Sequence, residues 1–242
     1  MTPPTTSHGK LSAHIPTRSI AVGVVIGFIA NQLEDFPAFR GMKPDQNENF
    51  YNQRLALFLG VRARKHCDAI QFGREIIHET PGSHDVGVFP ADEEGLYVRG
   101  HAIGADEPIY TVECKRLPSV TSAREYVTSE HGKKPRGAIQ RYKLGIHGGG
   151  LDEAGVIGYI QNEDLEFWRT TVNGWIDQLN TTPVDEAVWT ENDRLRLHKK
   201  IRRKKRVLVS ESQNSRTRGK DIHLTHFFVD IRADPQSELV LD

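Results

Sequence analysis

Ser83-His84-Asp85-Val86-Gly87-Val88-Phe89 and, further along, Ile109-Tyr110-Thr111-Val112-Glu113-Cys114-Lys115 are the stretches whose reading decides the fold. Both are rich in β-branched and aromatic residues. Turn signals precede them, Pro81-Gly82 in one case and Gly104 to Pro108 in the other, so each is predicted to be a strand. Alternate side chains of a strand share a face. Glu113 and Lys115 therefore stand side by side, and Cys114 points the other way. Two carboxylates, Asp85 and Glu113, are hard oxygen ligands suited to Mg²⁺. A lysine beside them can orient or deprotonate an attacking water, or stabilise negative charge as it develops. Charges also decorate solvated strand faces, but the run Pro108 to Val112 reads as a buried strand. A carboxylate and a lysine at the end of such a strand are better explained as a site.

Outward from this stretch come Arg116-Leu117-Pro118, then Gly137-Ala138-Ile139-Gln140-Arg141-Tyr142-Lys143, then His147-Gly148. An Asp on one strand, Glu-x-Lys-Arg-Leu-Pro on a later one, a Gly-x-Ile-Gln-Arg-Tyr-Lys helix and a His-Gly turn together resemble the PD-(D/E)xK nuclease superfamily. The likeness is to small standalone bacterial members, over roughly residues 45 to 230, with the sharpest motifs between 83 and 160. One departure is His84, which stands where the superfamily name places Pro.

The resemblance implies an α/β chain of the α+β kind: a restriction-endonuclease-like α-β-β-β-α-β core, its mixed sheet flanked by helices, with further C-terminal strands. It implies a metal-dependent endonuclease acting on nucleic acid, with DNA favoured over RNA, Mg²⁺ as cofactor and Mn²⁺ able to substitute. Asp85, Glu113 and the backbone carbonyl of Cys114 would hold the metal, and Lys115 would serve the attacking water. A third acid is usual in such sites. Glu48, at the start of the first predicted core helix, is the candidate and Glu75 the rival; a carboxylate there also complements a helix dipole. Gln140 is placed with the catalytic group, and Arg141 and Lys143 with nucleic-acid contacts. A solvated helix face is the competing account of these three. His147 suits a phosphate contact or a helix cap equally. A place in restriction or anti-phage defence, in a bacterial cytoplasm, as a homodimer or with a defence partner protein, rests on the resemblance alone.

The 242 residues suit one domain with a small extension: a tail over 1–18, a core over 19–180 and a C-terminal extension over 181–242. The 32 basic and 32 acidic residues cancel, so net charge names no partner. Cys67 and Cys114 are the only cysteines, with no Cys-x-x-Cys or His/Cys cluster to suggest zinc. Ile20 to Ala30 is uncharged but spans only eleven residues. A membrane span needs about 20, so this run is expected to be a core element. No small-x-small site follows it, which argues against a signal peptide.

Along the chain, helices are expected from Glu48 to about Lys65, from Pro135 to Ile146 and from Asp164 to Leu179, the first capped by Asp45 or Asn47. Further strands are expected at Arg74 to Thr80, Leu96 to Ile103, Ala154 to Ile160, Arg206 to Glu211 and Ile222 to Ile231. The first strands would form an antiparallel meander up to Glu113. Gly148-Gly149-Gly150 lacks the Lys-Ser/Thr of a phosphate loop and receives no cofactor role.

The densest charge lies between Arg194 and Arg206. Within it, Arg202, Arg203, Lys204 and Lys205 are assigned to phosphate contacts, because so many like charges repel unless something anionic neutralises them. Two other classes of function stay open: a nuclease-fold module that binds without cutting, and a regulatory or scaffold subunit that never meets nucleic acid.

Overall fold

The computed structural model describes residues 18–43, 45–77, 83–98, 101–130, 132–184 and 186–232. The expected tail before Arg18, the strand positions His78 to Thr80 and the last ten residues lie outside these, as does the side chain of Glu75.

The uncharged run becomes helix α1 (Arg18–Gln32), continued by a 3₁₀ turn (Leu33–Ala38). Val25, Ile29, Leu33 and Phe36 are buried along it, so the run is core, as expected. Among the described residues no helix is long and apolar enough to cross a membrane. Helix α2 (Glu48–His66) starts where Asn47 caps it, its side chain accepting from the Phe50 N–H at 2.9 Å. Tyr51, Leu55, Phe58 and Leu59 turn to the sheet, while Leu57 and Val61 face outward. Each large apolar side chain so buried contributes roughly 1.5–3 kcal/mol.

Strands β1 (Ile70–Ile77), β2 (Ser83–Pro90), β5 (Tyr110–Leu117), β6 (Glu153–Ile160), β7 (Arg196–Leu197), β8 (Val207–Asn214) and β9 (Ile222–Asp230) form one mixed sheet. Their order is β1-β2-β5-β6-β9-β8-β7, with β5, β6 and β9 parallel and the other neighbours antiparallel. Leu96 to Ile103 is not a rung of this sheet. It divides into β3 (Leu96–Val98) and β4 (His101–Ile103), a separate hairpin, and β2 pairs directly with β5. The meander is corrected accordingly, because a side hairpin is invisible to strand periodicity.

Two apolar layers sandwich the sheet. Val112, Cys114, Ile157 and Phe227 face α1 and α2. Val156, Leu208, Leu224 and Phe228 face helices α3 (Ala138–Lys143) and α4 (Leu165–Thr181). Helix α4 is capped by Asp164, which accepts from the Phe167 N–H at 2.7 Å, and buries Trp168, Val172, Ile176 and Leu179. Helix α3 is shorter than expected, because its chain turns off at Leu144 and Gly145. In chain order the elements run α2, β1, β2, the β3–β4 hairpin, β5, α3, β6, in an α+β arrangement with a mixed sheet. The chain beyond 181 is not an appendage, since β9 lies between β6 and β8 and completes the sheet.

Candidate active site

The ladder between β2 and β5 ends at Val86 opposite Val112. Beyond that pair the strands part, and the Asp85 carboxylate replaces the missing rung by accepting the Cys114 N–H at 2.7 Å. The carbonyl of a strand residue lies on the same side as its N–H, so that of Cys114 also opens to the β2 side of β5. Arg116 turns its N–H to that side too, donating to Glu48 Oε2 at 3.3 Å.

Glu113 and Lys115 project from the α3 face. Lys115 Nζ is 3.2 Å from Glu113 Oε1 and 3.0 Å from Glu48 Oε1. Glu48, at the first turn of α2, is thus brought to the end of β5 from across the sheet. Arg141 of α3 donates to Glu113 Oε1 at 2.9 Å. His147 Nδ1 comes within 3.1 Å of Glu113 Oε2, off the line of a hydrogen bond, and that oxygen accepts no well-formed one. Gly148 follows at φ +64°, a left-handed turn that glycine adopts without strain.

The electrostatics follow from this packing. Burial works against ionised Glu113, but Lys115, His147 and Arg141 outweigh it and hold its carboxyl down at about 2. Asp85 is pushed well above the ordinary carboxylate range by burial and then by Glu113. Glu48 is raised as well, by burial. For Lys115 burial favours the neutral amine, yet Glu113, Glu48 and Asp85 prevail and keep it an ammonium ion. Lys115 in this setting carries its proton and a positive charge at neutral pH.

The donor set suits a hard divalent cation. Asp85 is under charge pressure from its neighbouring carboxylate, and Glu113 Oε2 has unused acceptor capacity. Among the described residues, no three His, Cys, Asp or Glu side chains are gathered as a ready ligand set. Lys115 bridges Glu48 and Glu113 instead, and Arg141 pairs with Glu113.

Two assignments change. Gln140 is buried away from the carboxylates: its Oε1 accepts from Ser129 N–H (3.1 Å), Ser129 Oγ (3.1 Å) and Gly137 N–H (3.2 Å). It fastens α3 to the preceding loop and is not placed for catalysis. Lys143 is fully buried, 2.5 Å from Asp193 Oδ1 and 5.0 Å from the centre of the Trp189 ring, so it cannot meet nucleic acid. Arg141 is one-quarter exposed and serves Glu113 first. Its role at Glu113, like that of His147, was hidden because both come from beyond the strand that carries the motif.

Arg202, Arg203 and Lys205 are exposed in the loop before β8, and Lys204 Nζ donates to the Asn31 carbonyl at 3.3 Å. Arg116, Tyr159, Val229 and Val207 form one row across β5, β6, β9 and β8. The loop therefore leaves the sheet at the edge that carries Lys115, roughly 15 Å away at ~4.8 Å per strand. No protein-family model, curated protein or solved structure matches the chain.

Proposed function

We propose that this chain is a metal-dependent phosphodiesterase that hydrolyses nucleic acid, DNA rather than RNA, on a restriction-endonuclease-like core. One observation carries it: Glu48 and Glu113 flank Lys115 at the end of β5, and Asp85 caps the neighbouring Cys114 N–H where β2 and β5 part. A Mg²⁺ or Mn²⁺ ion held by Asp85, Glu113 and the Cys114 carbonyl would neutralise phosphate charge and make an attacking water more acidic.

The chain's own groups divide the remaining work. Lys115, as an ammonium ion, donates to the phosphate oxygen that gains charge or fixes the water in line with it. It has no lone pair to take the water's proton. Glu48 is placed to take it, because its carboxyl is raised by burial and opens onto a cleft of about 330 Å³ lined also by Asn47, Arg116 and Ser119. Arg141 and His147 keep Glu113 ionised and in position. Two free cysteines suit action in a reducing bacterial cytoplasm.

The test is incubation of the purified protein with plasmid, single-stranded DNA and RNA, with Mg²⁺, Mn²⁺ or EDTA. Cleavage should require metal and vanish in Asp85→Ala and Lys115→Ala. Cutting that survives both substitutions, or no cutting with either metal, sinks the proposal. The occupation of Glu113 by Lys115 and Arg141, with Lys115 also on Glu48, favours a second reading, a module on the same fold that binds without turnover. It predicts salt-sensitive binding, indifferent to Asp85→Asn, and no cleavage.

A further inference from the structure

The segment from Arg116 to Arg136 runs from the end of β5 to the start of α3. It carries five cations, Arg116, Arg124, Lys133, Lys134 and Arg136, against the carboxylates Glu125 and Glu130, with His131 between. Lys133, Lys134 and Arg136 are exposed, and among the described residues none of the three has an ion-pair partner. Glu125 is engaged by the Ser119 hydroxyl. This imbalance of charge is legible in the sequence, beside the denser run at Arg194 to Arg206.

What the fold adds is placement. The cleft at Glu48 and Arg116 adjoins a second cleft of about 280 Å³, and the two share Thr121 and Glu125 as lining residues. Lys133, Lys134 and Arg136 line the second cleft. Its wall is fixed rather than loose. Gly137 packs so closely on the chain at Thr128 that a Cβ there would stand 2.3 Å from the Thr128 Cα. Gln140 holds Ser129 and Gly137 from below. Val120, 80 % exposed, stands at the first cleft as an apolar surface.

We propose that these adjoining clefts form one groove that binds a single nucleic-acid strand by its phosphates and leads it to the carboxylates at Lys115. The inference rests on the phosphodiesterase reading and adds the substrate form and its path. Small connected clefts suit units the size of a nucleotide, whereas a duplex needs a broad basic face. Lys133, Lys134 and Arg136 would take successive phosphates downstream of the scissile one. Val120 would lie under a base, an apolar contact indifferent to base identity. Phosphate contacts position a strand without reading its bases, so binding should show little sequence preference.

The test measures binding without turnover, on the full chain in EDTA, with a fluorescent single-stranded oligonucleotide across a salt series. Three lost phosphate contacts should lower the slope of log affinity against log salt by about 2, at ~0.7 each for single strands. The drop in affinity between about 50 and 200 mM salt should then be roughly twentyfold smaller in Lys133→Ala/Lys134→Ala/Arg136→Ala. Ser122→Lys, which adds a cation beside the groove, should steepen the slope by about 0.7. An unchanged slope in both variants overturns the groove. An equal loss on a duplex of the same length overturns the single-strand assignment. A wild type that binds in this way but never cuts would sink the phosphodiesterase reading and leave the groove standing, so the two failures are distinguishable.

Discussion

Lys143 Nζ and Asp193 Oδ1 are 2.5 Å apart in the interior, both fully buried, with the Trp189 ring against the ammonium. This pair joins the site helix α3 to the segment between α4 and β7. The Asp193 carboxylate also accepts the Thr190 N–H at 2.6 Å. Arg216 and Thr217, from the β8–β9 loop, bind the carbonyls of Tyr142, Gly148 and Lys143. The C-terminal third of the chain thus holds the helix that positions Arg141.

Breaking that pair from one side strands a buried charge. Asp193→Ala should cost about 3–5 kcal/mol in urea unfolding, whereas Lys143→Met with Asp193→Leu should recover much of it. A single substitution that costs under about 1 kcal/mol would mean that the pair is solvated and α3 is held otherwise.

Glu48→Gln separates proton transfer from metal binding. The amide can keep the Arg116 N–H contact but is a poor proton acceptor, so turnover should fall about 10²–10⁴-fold. The rise in Tm on adding Mg²⁺ should persist. Loss of that rise would make Glu48 a metal ligand.

Glu113→Gln should abolish the metal-induced stabilisation. At a hundredfold excess over Kd that stabilisation is about 2.7 kcal/mol, equivalent to roughly 5–10 °C in Tm for a chain of this size. Differential scanning fluorimetry with and without EDTA reads it directly. A Tm that ignores metal in the wild type would remove the cofactor from the account.

Gln140→Ala should destabilise by roughly 2–4 kcal/mol, because buried donors at Ser129 and Gly137 lose their acceptor. Turnover per folded molecule at low temperature should change by only a few-fold. A large fall in kcat with unchanged stability would return Gln140 to the chemistry.

His226 sets an acid limit. It is fully buried between Tyr126 Oη (3.0 Å) and Ser212 Oγ (2.8 Å), and burial depresses its imidazolium to about 3. Above about pH 6.5 both folded and unfolded states hold it neutral, and it leaves stability unaffected. As pH falls through that value the unfolded chain takes the proton first, so stability is lost progressively down to about 3, by roughly 3–5 kcal/mol. Glu113, depressed in its turn, adds a further loss between its ordinary value and about 2. Unfolding free energy measured from pH 7 to 4 should be flatter for His226→Gln than for the wild type. Parallel curves would place the acid sensitivity elsewhere.

Much of this protein is legible in its residues taken locally. Period-two patterning places β5 and puts Glu113 beside Lys115. Uninterrupted apolar runs mark β6 and α1 as core, and the polar turn at Asp45 to Asn47 and Asp164 mark helix starts, because such signals act within a few residues. Partners far apart in sequence are a different matter. That Glu48 reaches Lys115, that Asp85 caps the Cys114 N–H, and that Arg141 and His147 close on Glu113 depend on where β2 leaves β5 and how α2 and α3 lie across the sheet. The same packing turned Lys143 and Gln140 inward, although helix periodicity allowed both an outward face. A buried amide or ammonium is tolerated only where a partner waits, and Ser129 and Asp193 were brought to them by tertiary structure alone.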